Sequence, residues 1–168
     1  FMDKFFFEPS PYPDLPRQKS PGNDSFMFAQ GSTSKGQNRI QFHDFNIAYN
    51  QSKLPNVKIF QSQIEVFKKF LKEAAPDKAQ TRDLDFMLNV GELFTLVPYG
   101  QLILECAKSE GISDDLVDQI FDFMVRDFSR YALQMYSRTS STQAQMDLCM
   151  QMIKKPAVNT ERFERVWK

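Results

Sequence analysis

The stretch Thr81–Lys108, TRDLDFMLNVGELFTLVPYGQLILECAK, decides the expected fold because it is strongly apolar and has no polar side. From Leu84 to Leu104 apolar side chains occur on nearly every face of a helix, and such a helix is typically buried. Its longest run without a charge, Leu93 to Leu104, is shorter than the roughly 20 apolar residues that span a bilayer. We therefore expect a central helix that is surrounded by other helices and does not span a membrane.

Two residues in the middle of this helix predict an irregularity. Pro98 lacks an N–H and its ring crowds the preceding turn, so we expect a kink between Phe94 and Val97. Gly100 lies two residues further on. Gly111 then stands where a left-handed residue typically ends a helix.

The rest of the sequence predicts helices that cover the central one. Apolar residues recur at helical spacing from Val57 to Ala75. Further helices are expected to begin at polar N-caps, namely at Ser113, at one of Ser140, Ser141 and Thr142, and at Asn159. The predicted fold class is therefore all-α: an antiparallel bundle of four to five helices (57–168) after a long, mostly irregular N-terminal arm (1–56).

The helical spacing also predicts which side chains face inward. Met150 is expected on the core side of its helix, and the apolar side of the last helix is expected to be Phe163, Val166 and Trp167. A separate, polar face of the helix that begins at Ser113 carries Asp118, Asp122, Arg126 and Arg130.

The N-terminal arm combines prolines with many aromatic residues. Its prolines, which exclude a continuous helix, are Pro9, Pro11, Pro13, Pro16 and Pro21. Disordered segments are poor in aromatic residues, so an arm this rich in Phe is expected to pack on something. The sequence leaves two alternatives for the surface on which the arm packs, namely the helical body of the same chain and a partner subunit.

Charge and cysteine content narrow the function classes. Lys and Arg together number 21, as do Asp and Glu, so there is no net positive charge to attract nucleic acid. Cys106 and Cys149 lie in apolar helical contexts without metal-binding or redox spacing, which predicts two buried free thiols in a reducing compartment. We find no signal peptide at the N-terminus and therefore expect a cytoplasmic location.

Few residues suggest a catalytic or ligand site. His43 is the single histidine, so neither a metal site nor a nucleophile activated by histidine is predicted. Glu92 and Glu105 lie in the apolar helix and could act as bases if they were buried, or could simply reach the surface. The polar loop 30–39 is either an ordinary surface loop or a contact for a nucleotide-like ligand or a partner. Its candidate cofactor-binding residues are Gly31, Ser32, Lys35, Gly36 and Arg39.

Five segments together resemble the C-terminal region of large bacterial acyl-CoA dehydrogenases. They are FAQGSTSKGQNRIQFHDF (28–45), RDLDFMLNVGELFTLVPYGQLILE (82–105), DQIFDFMVRDFSRYALQMY (118–136), SSTQAQ (140–145) and KKPAVNTERFERVW (154–167). The resemblance implies a role in acyl-CoA or fatty-acid oxidation, in which FAD flavoproteins abstract an α-proton with a carboxylate and pass a β-hydride to the flavin. It also implies a helical C-terminal part in a homo-oligomer.

The departures from that family define three functional hypotheses. No position here matches the family's catalytic glutamate or its FAD-binding motifs, so no catalytic residue and no cofactor are predicted for this chain alone. The first hypothesis is an accessory domain that binds the catalytic core or a neighbouring subunit of such an enzyme and stabilises the oligomer. The second is a free-standing protein-interaction module, and the third is a small-ligand binder that opens at Pro98. The start at Phe1-Met2 fits either an extra residue before a start Met or a piece of a longer polypeptide.

Overall fold

The computed structural model describes residues 2–9 and 42–167, and these residues form seven α-helices and a 3-10 helix at Gln80–Arg82. In chain order the α-helices are α1 (Met2–Phe7), α2 (Phe45–Gln51), α3 (Pro55–Glu73), α4 (Leu84–Glu110), α5 (Asp114–Tyr136), α6 (Gln143–Met152) and α7 (Thr160–Trp167). The two described ranges contain no strand, so the prediction of an all-α helical bundle is confirmed.

The chain divides into two compact units, Phe1–Phe45 and Asn46–Lys168. In the first unit, the described aromatic rings pack on one another. The ring of Phe5 stacks on that of Phe45 with centroids 5.1 Å apart, and meets the edge of Phe42 at 5.4 Å. Phe5, Phe6 and Phe45 are buried, so these described aromatic side chains of the arm are packed. Whether the arm packs on the helical body or on a partner subunit stays a prediction. The prolines from Pro11 to Pro21 lie outside the described residues.

Four predicted helix boundaries in the second unit are confirmed by their capping geometry, whereas the helix predicted over 57–75 runs from Pro55 to Glu73. Gly111 follows α4 in the left-handed conformation with φ 66°, and Ser113 caps α5. Thr142 and Gln145 form a reciprocal capping box at the start of α6, and Asn159 accepts a hydrogen bond from the backbone of α7. Each cap satisfies helix-end groups that would otherwise lack partners, which is why these local signals locate the boundaries.

The central helix is α5, so the expectation that the apolar stretch at 81–108 would be central is wrong. α5 contacts α3, α4, α6 and α7, whereas α4 packs mainly against α5. The face of α5 that these neighbours bury is lined by Val117, Phe121, Met124, Val125, Phe128, Ala132 and Met135. Around it, the rings of Phe60 and Phe121 meet edge-on with centroids 5.5 Å apart, as do those of Phe60 and Phe128.

One side of α4 is fixed to the bundle by a buried tyrosine. The hydroxyl of Tyr49 on α2 donates a hydrogen bond to the carbonyl of Val97, at an oxygen–oxygen distance of 2.7 Å. A Cβ atom added to Gly100 would overlap that hydroxyl and lie 3.1 Å from Cε of Met124. Gly100 therefore lets the phenol reach the helix backbone, and α4 continues through Pro98 without a break.

A buried ion pair joins α5 to α7. Arg162 donates to the carboxylate of Asp118, and both side chains are almost fully buried. The backbone N–H and the side-chain amide of Asn56 also donate to that carboxylate, at 2.8 Å and 3.2 Å. Asp118 is thus buried at the contact between helices, although the sequence placed it on a separate, polar face of α5.

The last helix also faces the other way from the prediction. Arg162 is the buried residue of α7, whereas Phe163 and Trp167 are exposed. Met150, expected in the core, is 54% exposed. The buried ion pair orients α7, and its partner Asp118 lies 44 residues away in sequence.

We expect Gly100→Ala to lower the free energy of unfolding by about 1–3 kcal/mol, because the added methyl group would displace Tyr49 from a packed core. Gly91 is the matched control in the same helix, since a Cβ atom there would meet nothing within 4 Å. Gly91→Ala should be neutral or stabilise by up to about 1 kcal/mol through helix propensity. Urea unfolding at one low protein concentration measures both, and equal effects would contradict the close approach of Tyr49.

Arg162→Met should destabilise the chain by about 3–5 kcal/mol, because it leaves the carboxylate of Asp118 buried without its charge partner. Arg165→Met is the control, since Arg165 pairs with Asp115 at the exposed surface of the same two helices. That variant should unfold nearly as the unmodified chain does. If both variants lost the same stability in thermal or urea unfolding, the buried pair would not anchor α7.

Candidate interaction surface

The predicted ligand loop lies outside the region in which a site can be built. Gly31, Ser32, Lys35, Gly36 and Arg39 fall between the two described ranges of the chain. The hypothesis of a nucleotide-like ligand at this loop therefore stays a prediction.

Neither candidate base in α4 is a buried carboxylate. Glu92 is exposed, and the side-chain amide of Asn89 lies 3.4 Å from its Oε2 atom. Glu105 is half-buried and accepts a hydrogen bond of 2.9 Å from the side chain of Gln101. Because burial is the physical reason to consider either carboxylate as a base, the general-base hypothesis has no support in this geometry.

Metal and thiol chemistry are equally weak candidates. Across residues 2–9 and 42–167, no three His, Cys, Asp or Glu side chains come together as a metal-binding group would require. Cys149 is buried as expected, and burial raises the pKa of its thiol to about 12. Cys106 is exposed, so the expectation of two buried thiols holds for Cys149 alone.

The interior near Pro98 is filled by protein. The space beside Gly100, where the third hypothesis placed a ligand, holds Tyr49, Phe121 and Met124. Burial raises the pKa of Tyr49 well above its ordinary value, although a backbone hydrogen bond at Gln101 opposes this. The phenol therefore stays protonated and holds its hydrogen bond to α4 instead of leaving room for a ligand.

An open cleft of about 470 Å³ lies between α4 and the end of α5. Its lining residues are Asp85, Leu88, Asn89, Glu92, Gln134, Ser137 and Arg138. The guanidinium of Arg138 donates to the side-chain oxygen of Asn89 at 3.3 Å, and the amide of Asn89 donates to the carbonyl of Tyr131 at 3.1 Å. These polar groups bond to one another, as in a solvated groove, and they do not converge on a common point.

The most distinctive surface feature is a row of mostly apolar residues along the outer side of α4. We call it the α4 stripe, and it consists of Leu84, Leu88, Gly91, Thr95, Tyr99, Leu102 and Cys106. Its members follow one another at intervals of three or four residues, so they lie on one face of the helix. Four of its large side chains are more than half exposed, namely Leu84 (72%), Leu88 (56%), Tyr99 (57%) and Leu102 (62%).

The α4 stripe has few charges beside it. No charged residue occurs between Leu93 and Leu104. Asp85 and Glu92 border its N-terminal half, and both carboxylates are exposed. The stripe is therefore an uncharged surface with acidic residues near both ends, because the half-buried Glu105 directly precedes Cys106.

A second and smaller apolar patch occurs on α7. The rings of Phe163 and Trp167 stack with centroids 6.2 Å apart, and both residues are exposed. This helix has only eight residues, and the charged Glu164 and Arg165 lie between the two rings in sequence. We therefore take the longer, uncharged α4 stripe as the candidate site.

Within the described part of the chain, α4 is the one helix that is long and apolar enough to cross a membrane. Core helices of soluble proteins can have the same length and composition. Of the most apolar 18-residue window, 33% is buried inside the structure. The unburied remainder includes residues of the α4 stripe.

Comparison with known proteins gave no further assignment: no protein-family model, no curated protein and no solved structure matched this chain.

The two thiols provide a check on the exposure of α4. Ellman's reagent should label one thiol per chain rapidly in the native protein at low concentration, and two after denaturation. The reactive species is the thiolate, and burial both raises the pKa of Cys149 and keeps the reagent from its sulfur, whereas Cys106 is exposed. Cys106→Ser should remove the fast phase, whereas Cys149→Ser should leave it unchanged. Equal native reactivity of both thiols would contradict the orientation of α4.

Proposed function

We propose that this chain is a helical domain without catalytic activity that binds protein through the α4 stripe. The single observation that carries the proposal is the row of exposed apolar side chains on α4, with Leu84, Leu88, Tyr99 and Leu102 each more than half exposed. Contiguous exposed apolar surface on a folded domain is characteristic of interaction sites. Single exposed apolar residues would carry no such meaning, but these share one helix face.

The opposite side of α4 supports the proposal because it makes the stripe a rigid surface. Tyr49 donates to Val97 in the middle of the helix, and Asn89 donates to the carbonyl of Tyr131 nearer its start. These two hydrogen bonds, of which the Tyr49 bond is buried, lie about two turns apart along α4 and hold its rotation. A partner would therefore meet a preformed face, which reduces the entropy lost on binding.

The resemblance to acyl-CoA dehydrogenases supplies a specific form of the proposal. In this form, the partner is the catalytic core of such an enzyme or a neighbouring subunit, and the domain stabilises the oligomer. FAD would then belong to the core, and the residues of this chain would contribute no step of the oxidation. This form rests on the five resembling segments and on the apolar stripe as a means of attachment.

The proposal is tested by isolating the tagged chain from its native cells under mild conditions. We expect the unmodified chain to elute in an assembly heavier than one 19.6 kDa chain, and Tyr99→Glu to elute alone. A carboxylate on the stripe would have to be desolvated by the partner, which is costly. Met150→Glu is the matched control, because Met150 is similarly exposed on α6 and should leave the assembly intact.

Size-exclusion chromatography with light scattering and flavin absorbance separates the outcomes. Assembly of the Tyr99→Glu variant to the same mass as the unmodified chain would contradict the proposed function. An assembly that depends on Tyr99 but contains no flavin would support the interaction domain and contradict its acyl-CoA dehydrogenase form. An assembly with bound flavin that oxidises acyl-CoA would support both.

A further inference from the structure

We infer that the α4 stripe binds the same stripe of a second copy of this chain, with the two helices antiparallel. This inference rests on the proposed function and names its partner. It is carried by the arrangement of large and small residues along the stripe, by the direction of the helix dipoles and by its area.

The stripe is symmetric about Thr95. Gly91 and Tyr99 lie four residues on either side of it, and Leu88 and Leu102 lie seven residues on either side. A two-fold axis that passes between two copies of Thr95, perpendicular to the helices, therefore brings each stripe residue of one copy opposite the stripe residue that lies equally far from Thr95, on its other side, in the second copy. Such two-fold contacts, in which one patch meets itself, are the commonest way to form a homodimer.

In this register, large side chains meet small ones. Tyr99 of each copy faces Gly91 of the other, and a Cβ atom at Gly91 would meet nothing within 4 Å, so the position is open. Leu84 faces Cys106 at the two ends, and Leu88 faces Leu102 between them. A parallel pair would instead place Tyr99 against Tyr99 and leave a gap at Gly91, so shape favours the antiparallel pair.

The helix dipoles favour the same orientation, because they are opposed in an antiparallel pair. The acidic residues beside the stripe do not distinguish the two orientations. A parallel pair would bring the two copies of Asp85 to one level of the interface, and the antiparallel register brings Asp85 level with Glu105 of the other copy.

The area fits a dimer of modest stability. A contact through one helix face of this length lies at the lower end for specific interfaces, at about 1,200 Å² in total or less. We therefore expect a dimer that dissociates on dilution. A membrane surface is less favourable, because helices that lie on membranes carry Lys and Arg beside their apolar face, whereas this stripe is bordered by Asp85 and Glu92.

The first test is sedimentation equilibrium of the purified 168-residue chain over a range of concentrations. The unmodified chain and Met150→Glu should form a dimer at high concentration, and Tyr99→Glu should lose it. Urea unfolding of each variant at low concentration establishes that the monomer is folded. A chain that stays monomeric up to its solubility limit would overturn the inference, even if a different protein binds the stripe in cells.

The second test fixes the register by copper-catalysed disulfide formation. Thr95→Cys should yield a covalent dimer, because the two copies of residue 95 lie at the symmetry axis. The unmodified chain is the control: its own Cys106 residues would lie about 33 Å apart along the helices and should not cross-link. Leu84→Cys should cross-link to Cys106 of the other copy. Cross-linking of the unmodified chain without that of Thr95→Cys would overturn the antiparallel pair.

Sedimentation with phosphatidylcholine and phosphatidylglycerol vesicles tests whether the α4 stripe binds a lipid surface instead of a second copy. The unmodified chain should stay in the supernatant. Vesicle binding that depends on Tyr99, together with a monomer in solution, would overturn the inference and assign the stripe to lipid. If the chain does not dimerise, the proposed function is still supported only when the chain binds another protein in cells and the Tyr99→Glu variant does not.

Discussion

The contact on which the surface of this protein depends is the hydrogen bond from the Tyr49 hydroxyl to the Val97 carbonyl, made through the space that Gly100 leaves open. α4 is apolar on all sides, so its own pattern does not determine which side faces the core. The buried phenol makes that choice. It fixes the rotation of α4, and the opposite side of the helix becomes the α4 stripe. The same hydrogen bond therefore determines both which side of α4 packs in the core and which side forms the candidate interface.

A second, polar contact lies about one turn along α5 from Phe121, whose ring packs on Tyr49. Asp118 and Arg162 bury their charges together, and the backbone and side chain of Asn56 complete the hydrogen bonds of the carboxylate. Such a cluster costs much free energy if one member is lost, so it favours a single arrangement of α3, α5 and α7. The price of this arrangement is visible on α7, where Arg162 faces inward while Phe163 and Trp167 remain at the surface.

The helix boundaries could be predicted because their signals are local. Ser113 and Asn159 each accept a hydrogen bond from the backbone N–H three residues further on. Gly111 adopts the left-handed conformation, which glycine tolerates better than other residues do. The burial of Asp118 could not be predicted, since its partner Arg162 is distant in sequence. The sequence predicts the wrong central helix, because the hydrophobicity of α4 does not show how many of its sides other helices cover. A signal for the stripe was nevertheless present in the symmetric spacing of residues around Thr95.

We propose that the domain assembles through the outer side of α4, whatever protein it meets. Hydroxyl-radical footprinting at low and high protein concentration tests this most directly, because it reads the exposure of many side chains in the unmodified chain. We predict that Tyr99 and Leu102 lose reactivity as the concentration rises, while the exposed Leu133 and Trp167 keep theirs. Protection of Trp167 with unchanged reactivity of Tyr99 would contradict it, and would move the interface to α7.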